Sequence, residues 1–371
     1  MENFLVVLLM LAGFLFGISF ILQFLDNQHA TVLAGQENIL PETTKKIIPP
    51  PPPEKLSNPP EIIKAVYVTG YSAGAKSYLN YLSRLFEGTE INAVVVDIKG
   101  SDGRIEIYDT DSLVRFLHNQ NIYVIGRIAV FEDPVFSKAR SDLAIYDKTN
   151  PKNLWKDNNG LAWMDPASKD VWDYNISLAK DAFKNHGFDE INFDYVRFPT
   201  DGKTANMGFP VWDGIAGKAE VINKFFGYLR TSLPGEKISV DLFGLTTINT
   251  DDMGIGQIIE NAFENFDYIC PMVYPSHYAN WFIGFANPAE HPYEIIKYSM
   301  DSALARLKIT ASKAKLRPWL QDFDMGADYT ADMIKQEIKA TQDSLGTDFN
   351  GFLLWNPSNI YTQGAILKQP N

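Results

Sequence analysis

Asp189-Glu190-Ile191-Asn192-Phe193-Asp194-Tyr195-Val196-Arg197-Phe198-Pro199 is the stretch from which the rest of the chain can be read. Residues 190–195 alternate with the period of two that belongs to a strand: Asn192 and Asp194 face one way, Phe193 and Tyr195 the other. A carboxylate closing such an apolar run is costly to bury unless it is paired or put to use. Arg197 stands three positions later and is the nearest candidate partner, so the plain alternative is an ion pair that only holds the following loop.

Outward from this strand the same unit recurs. Short β-branched or aromatic runs are expected as strands at 65–69, 93–98, 123–128, 238–243, 268–274, 316–321 and 351–355. Longer amphipathic segments between them predict helices at 76–86, 111–120, 170–185, 217–232, 256–265, 293–308 and 330–344. Eight strands alternating with helices predict an α/β fold of the (β/α)8 TIM-barrel type over residues 61–371. A doubly wound sheet would carry a glycine-rich phosphate loop after its first strand, and Gly70-Tyr71-Ser72-Ala73-Gly74 does not fit that pattern. The strand-to-helix loops include three long ones, 129–169, 198–216 and 275–292, whereas the helix-to-strand turns are short. Active sites of barrels lie on the face that the former build. Those loops hold Trp155, Trp163, Phe209, Trp212, Tyr278, Trp281 and Phe282, ring surfaces of the kind on which sugars stack.

Carboxylates gather toward the same end. Asp241 shares a strand face with Ser239 and Phe243, Asp97 ends the second strand, Arg127 lies near the end of the third, and Gln321-Asp322 closes the seventh. Hydrolysis of a glycosidic bond needs two carboxyl groups flanking the bond, one an acid and the other a nucleophile or base. Asp194 and Asp241 are the expected catalytic pair, with Asp97, Asp133 and Asp322 in reserve. Glu132 is the nearest glutamate, just past the third strand. Arg127 and Arg197 are expected to hold the carboxylates. Trp163, Tyr274 and Trp355 are expected as sugar platforms, and Asp97, His277, Gln321 and Asp322 complete the expected substrate contacts.

Other chemistries lack their residues. The five histidines show neither H-x-H nor H-E-x-x-H spacing, and the single cysteine, Cys270, sits in a strand-like run and reads as a core residue. No metal and no cofactor is expected. A net charge of −12, without a basic cluster, argues against a nucleic-acid partner.

The first 60 residues are unlike the rest. Residues 4–22 are apolar except for Ser19, long enough to cross a hydrocarbon core, and the only charge before them is Glu2. A cleaved signal peptide would have a shorter apolar core and a basic start. Residues 1–25 are therefore expected as an uncleaved single-pass transmembrane anchor, with a lipid bilayer as partner of residues 4–25 and the barrel outside the cytoplasm. Residues 26–60, with an unbroken proline run at 49–53, are expected as a proline-rich, unstructured linker.

Several of these motifs resemble one known family. Asn92 to Lys99 (NAVVVDIK), Trp163-Met164-Asp165-Pro166, Asp189 to Pro199, Asp241-Leu242-Phe243-Gly244, Pro271 to Tyr278 (PMVYPSHY), Arg317 to Phe323 (RPWLQDF) and Leu354-Trp355-Asn356-Pro357 are similar to the signatures of the glycosyl hydrolase barrel family catalogued as domain of unknown function 4015. The resemblance spans about residues 62–365. It implies a (β/α)8 barrel akin to the α-amylase and α-galactosidase-like glycosidases, with the nucleophile at the end of strand four, here Asp194. Asn192 stands where related chains often carry glutamine, which leaves the acid open. The expected activity is hydrolysis of a polysaccharide or envelope glycan. A barrel that binds such a glycan without turnover is the rival.

Overall fold

A computed structural model describes residues 51–105 and 109–368. The expected anchor and residues 26–50 of the expected linker lie outside the described residues. Among those described, no helix is long and apolar enough to cross a membrane.

Eight parallel strands close into a barrel: β1 Ile63–Val68, β2 Ala93–Lys99, β3 Tyr123–Ala129, β4 Glu190–Asp194, β5 Ile238–Phe243, β6 Tyr268–Met272, β7 in two pieces, Lys315–Leu316 and Trp319–Gln321, and β8 Gly351–Trp355. Each pairs with its sequence neighbours, and β8 pairs in register with β1 from Ile63–Gly351 to Val66–Leu354. The (β/α)8 expectation is met. The helices between the strands are α1 Lys76–Gly88, α2 Thr110–His118, α3 Lys169–His186, α4 Lys218–Ser232, α5 Ile259–Phe263, α6 Pro292–Thr310 and α7 Ala331–Leu345, with two shorter ones at Gly70–Ala73 and Pro134–Ala139.

The strands read as continuous apolar runs because both of their faces are buried. On β2, Val94, Val96 and Ile98 pack outward into the layer shared with the helices. Ala93 and Val95 point inward with Ala65, Tyr67, Ile125, Cys270, Trp319 and Leu353, filling the barrel with alternating small and large side chains. Deeper in the barrel a second polar layer was not foreseen: Arg317 pairs with Glu190, and Tyr123 donates to the same carboxylate at 3.3 Å.

Boundaries differ from expectation where local chemistry intervenes. β7 breaks at Arg317-Pro318 because Pro318 has no N–H to give the ladder. α5 begins at Ile259, three residues later than expected, since the preceding segment is tied elsewhere: Phe198 N donates to Ile255 O at 2.9 Å. β4 ends at Asp194 because Tyr195 takes a positive φ of 54°.

Two of the long loops are zipped together. Strands Asn150–Leu154 and Tyr146–Asp147, from the loop after β3, pair antiparallel with each other, and the second also pairs with Met207–Gly208 from the loop after β4. The end of the expected linker is seated on the barrel floor. Leu56 N donates to Asp189 Oδ1 at 2.7 Å, and Lys55 pairs with Glu236 while lying 4.4 Å from the Phe183 ring centroid.

Candidate active site

Period-two alternation brings Asp97, Arg127, Asn192, Asp194 and Asp241 to the inside of the upper barrel, and one residue organises them. The Arg127 guanidinium donates from Nη1 to Asp97 Oδ1 at 2.6 Å, and from Nη2 and Nε to Asp194 Oδ2 at 2.6 and 3.1 Å. Its Nε is also 3.9 Å from Asp241 Oδ2. Burial works against this charge, yet Asp97 and Asp194 outweigh it and hold the guanidinium protonated well beyond its ordinary range. The alternative reading, an Asp194–Arg197 ion pair, is not formed among the described residues. Strand register explains this: Arg127 on β3 stands opposite Asn192 on β4, so its long side chain reaches the next inward residue, Asp194.

Asp194 has a third donor. The positive φ at Tyr195 turns the backbone N–H of that residue onto Asp194 Oδ1 at 2.6 Å. The same turn defeats the simple alternation, and Tyr195 lines the cavity beside Asp194 instead of pointing away. That cavity, about 360 Å³, is walled by Asp194, Tyr195, Arg197, Phe243, Tyr274 and Tyr278, with Met272, Leu245 and His277 at its edge.

Asp241 lies behind Asp194 and is 1% exposed. Its Oδ1 accepts from Asn192 Nδ2 at 2.8 Å and Trp319 Nε1 at 2.7 Å. Burial, and then the neighbouring Asp194, push its carboxyl well above the usual range, which favours its protonated form. Asp97 is also pushed up by burial, although Arg127 and the Tyr67 hydroxyl, 2.5 Å away, pull the other way. Trp355 stacks on Tyr67 at 4.0 Å and covers the Arg127 side of the array, half-buried at the mouth.

Several expected contacts are placed otherwise. Trp163 is fully buried and is no exposed platform: its Nε1 donates to Asp157 Oδ2 at 3.0 Å and its ring lies 4.8 Å from the Arg197 guanidinium. Trp163 is held there by an isolated antiparallel bridge to Glu132, within the same long loop after β3. Arg197 holds no carboxylate. Asp133 is buried against Lys99 at 2.7 Å and caps a short helix through Phe136 N. Gln321 braces the loop after β6 through Ser276 Oγ at 2.8 Å. Asp322 accepts from Thr362 N and Oγ1 and, pushed up to about 6 by burial, anchors the C-terminal segment outside the main cavity. The partners of all three come from distant segments, so their positions at or just past strand ends alone read like a site.

Glu132 is the residue that sequence reasoning undervalued. It is buried, and burial and Asp157 push its carboxyl up to about 8 although Arg197 opposes this. No strand-end rule marks it, because it lies past the end of β3.

Comparison with known proteins identifies the family and the fold. The sequence profile of the family described as "putative glycosyl hydrolase domain", domain of unknown function 4015, matches residues 65–361. No curated protein matches the chain. Among solved structures, a hypothetical protein from Ruminiclostridium thermocellum is 37% identical over 51% of this chain and 98% of its own, with a TM-score of 0.44. The PgaB (BpsB) glycoside hydrolase domain of Bordetella bronchiseptica is 14% identical over 83% of this chain and 100% of its own, with a TM-score of 0.60. The spore cortex-lytic enzyme SleL of Bacillus cereus is 12% identical over 82% and 73%, with a TM-score of 0.50. The last two share the fold. With a closed eightfold barrel, an arginine-held carboxylate array at its C-terminal face and the family profile spanning residues 65–361, this chain belongs to the glycosyl hydrolase-type family of domain 4015.

Proposed function

We propose that the protein hydrolyses glycosidic bonds in a polysaccharide or other envelope glycan, with Asp194 as nucleophile or base. The observation that carries this is the contrast between two adjacent carboxyls. Asp194 faces the cavity and receives three N–H donors, while Asp241 behind it is driven to keep its proton. Acid–base cleavage of an acetal needs one carboxyl that reaches the substrate and a second that can bring a proton. Arg127 keeps Asp194 oriented, and the cavity's aromatic side chains offer ring faces to the sugar.

Asp194→Asn tests the reading. The change is nearly isosteric, and Arg127 keeps Asp97 as a partner, so the melting temperature should shift by only a few degrees. Glycan cleavage, followed as new reducing ends, should fall by about 10³-fold or more while binding persists. A wild-type protein that binds glycans and releases no ends is a binding module, and the reading is then wrong.

The proton donor is assigned to one of two groups. Asp241 is pushed toward its protonated form but is sealed behind Asp194, Asn192 and Trp319; Glu132, pushed up to about 8, stands on the loop side within the field of Arg197. Removing a general acid hurts substrates with poor leaving groups and spares activated ones. Asp241→Asn and Glu132→Gln should therefore separate on an aryl glycoside against the natural linkage: the variant that keeps aryl turnover but loses the natural one marks the acid. We also propose that the apolar stretch at 4–25 tethers the barrel on the outer side of a membrane. Release of the full chain from membranes by alkaline carbonate would refute the tether.

A further inference from the structure

We propose that the cavity receives an acidic sugar, whose carboxylate is held by the Nε and Nη2 edge of Arg197; this rests on the glycan reading above. Arg197 is 8% exposed and lines the cavity. Its Nη1 is used by Phe198 O at 3.2 Å and Thr200 Oγ1 at 3.4 Å. Among the described residues, Nε and Nη2 have no acceptor. A buried guanidinium without a carboxylate is costly, and its forked edge matches a carboxylate with two parallel bonds.

The acids that surround it are engaged elsewhere. Asp194 is occupied by Arg127. Asp157 accepts from Asn159 N and Leu161 N on one oxygen and from Trp163 Nε1 on the other. Asp201 accepts from Asn158 N. Glu132, pushed up to about 8, is neutral at pH 7. The positive charge of Arg197 is thus left for whatever enters the cavity. Its orientation is fixed, because the guanidinium lies 4.8 Å from the ring centroids of both Trp163 and Phe243. A fixed fork that needs no ordering on binding favours a planar anion over a hydroxyl, which has only one oxygen to offer.

The test uses the full chain carrying Asp194→Asn, so that binding is read without turnover. The probes are oligosaccharides of glucuronic, galacturonic and mannuronic acid, each with its carboxyl-reduced neutral counterpart, titrated by calorimetry. At least one acidic probe should bind tenfold or more tighter than its neutral twin, with the gap narrowing as salt rises. Arg197→Met should erase the gap, and Arg197→Lys should keep part of it. If Arg197→Met does not fold, the paired probes on the parent chain and the lysine variant still decide. Equal binding of acidic and neutral twins overturns the carboxylate assignment and leaves the glycan reading standing. Binding of none of the probes overturns the carboxylate assignment as well, and turnover of neutral glycans by the wild type then decides the glycan reading separately.

Discussion

At the scale of the residue, the site is built around Arg127, whose single guanidinium serves Asp97 and Asp194 and approaches Asp241. This explains how several acids coexist in so dry a place: Asp97 and Asp194 share one guanidinium, while burial pushes the Asp241 carboxyl up toward its neutral form. Glu132 obeys the same logic without a direct ion pair. Its carboxyl is raised from an ordinary 4.5 to about 8, so the folded state binds the proton more tightly than the unfolded one. The stability it lends is full below about pH 4.5 and is lost as pH rises to about 8, by at most about 5 kcal/mol. Urea unfolding at pH 5 and pH 8 should therefore show a smaller pH difference for Glu132→Gln than for the wild type. An unchanged difference would mean that Glu132 is not held in its neutral form.

At the scale of the element, strand ends decide what reaches the cavity. β4 stops at Asp194 because Tyr195 takes φ 54°, and that turn both supplies a donor to Asp194 and brings a ring to the cavity wall. A non-glycine residue in this region is strained, and here the strained turn brings a donor to the Asp194 carboxylate. At the seam of the barrel the requirement is for glycine. Gly351 opens β8 at φ 105°, and a Cβ there would lie 1.7 Å from Ile63 O on β1. Gly351→Ala should thus prise β8 from β1 and cost about 4 kcal/mol or more, or yield no soluble barrel. A normal melt for this variant would contradict the closure described.

At the scale of the whole molecule, the barrel floor is fastened by the segment just ahead of β1. Asp189 accepts from Leu56 N on one oxygen, and from Val124 N at 2.8 Å and His118 Nε2 at 2.9 Å on the other. Gly187 ends α3 at φ 67°, where a Cβ would come within 2.4 Å of Pro53 O, so helix end and segment are fitted closely. The barrel was expected to begin at residue 61, and these contacts reach ahead of it to Pro53 and Leu56. A chain starting at residue 52 should melt like the full barrel. One starting at residue 61 should melt a few degrees lower, having lost one buried backbone partner worth about 1–2 kcal/mol and an exposed ion pair worth less. Equal melting temperatures would show the segment to be ornamental.

Periodicity in the sequence was enough to count the strands, place the long loops on one face, and put Asp97, Arg127, Asp194 and Asp241 inside the upper barrel. These follow from which way each side chain points along its own strand, and that is a local property. What lay beyond it was pairing across strands. Arg197 stands nearest to Asp194 in the chain, but register gave Asp194 to Arg127, and Arg197 was left facing the cavity. Gln321, Asp322 and Asp133 looked like site residues until Ser276, Thr362 and Lys99 arrived from distant segments to take them. The state of Glu132 depends on burial by a loop that strand periodicity does not describe. Inward direction is written residue by residue, whereas the partner of a buried charge is chosen only when the barrel closes.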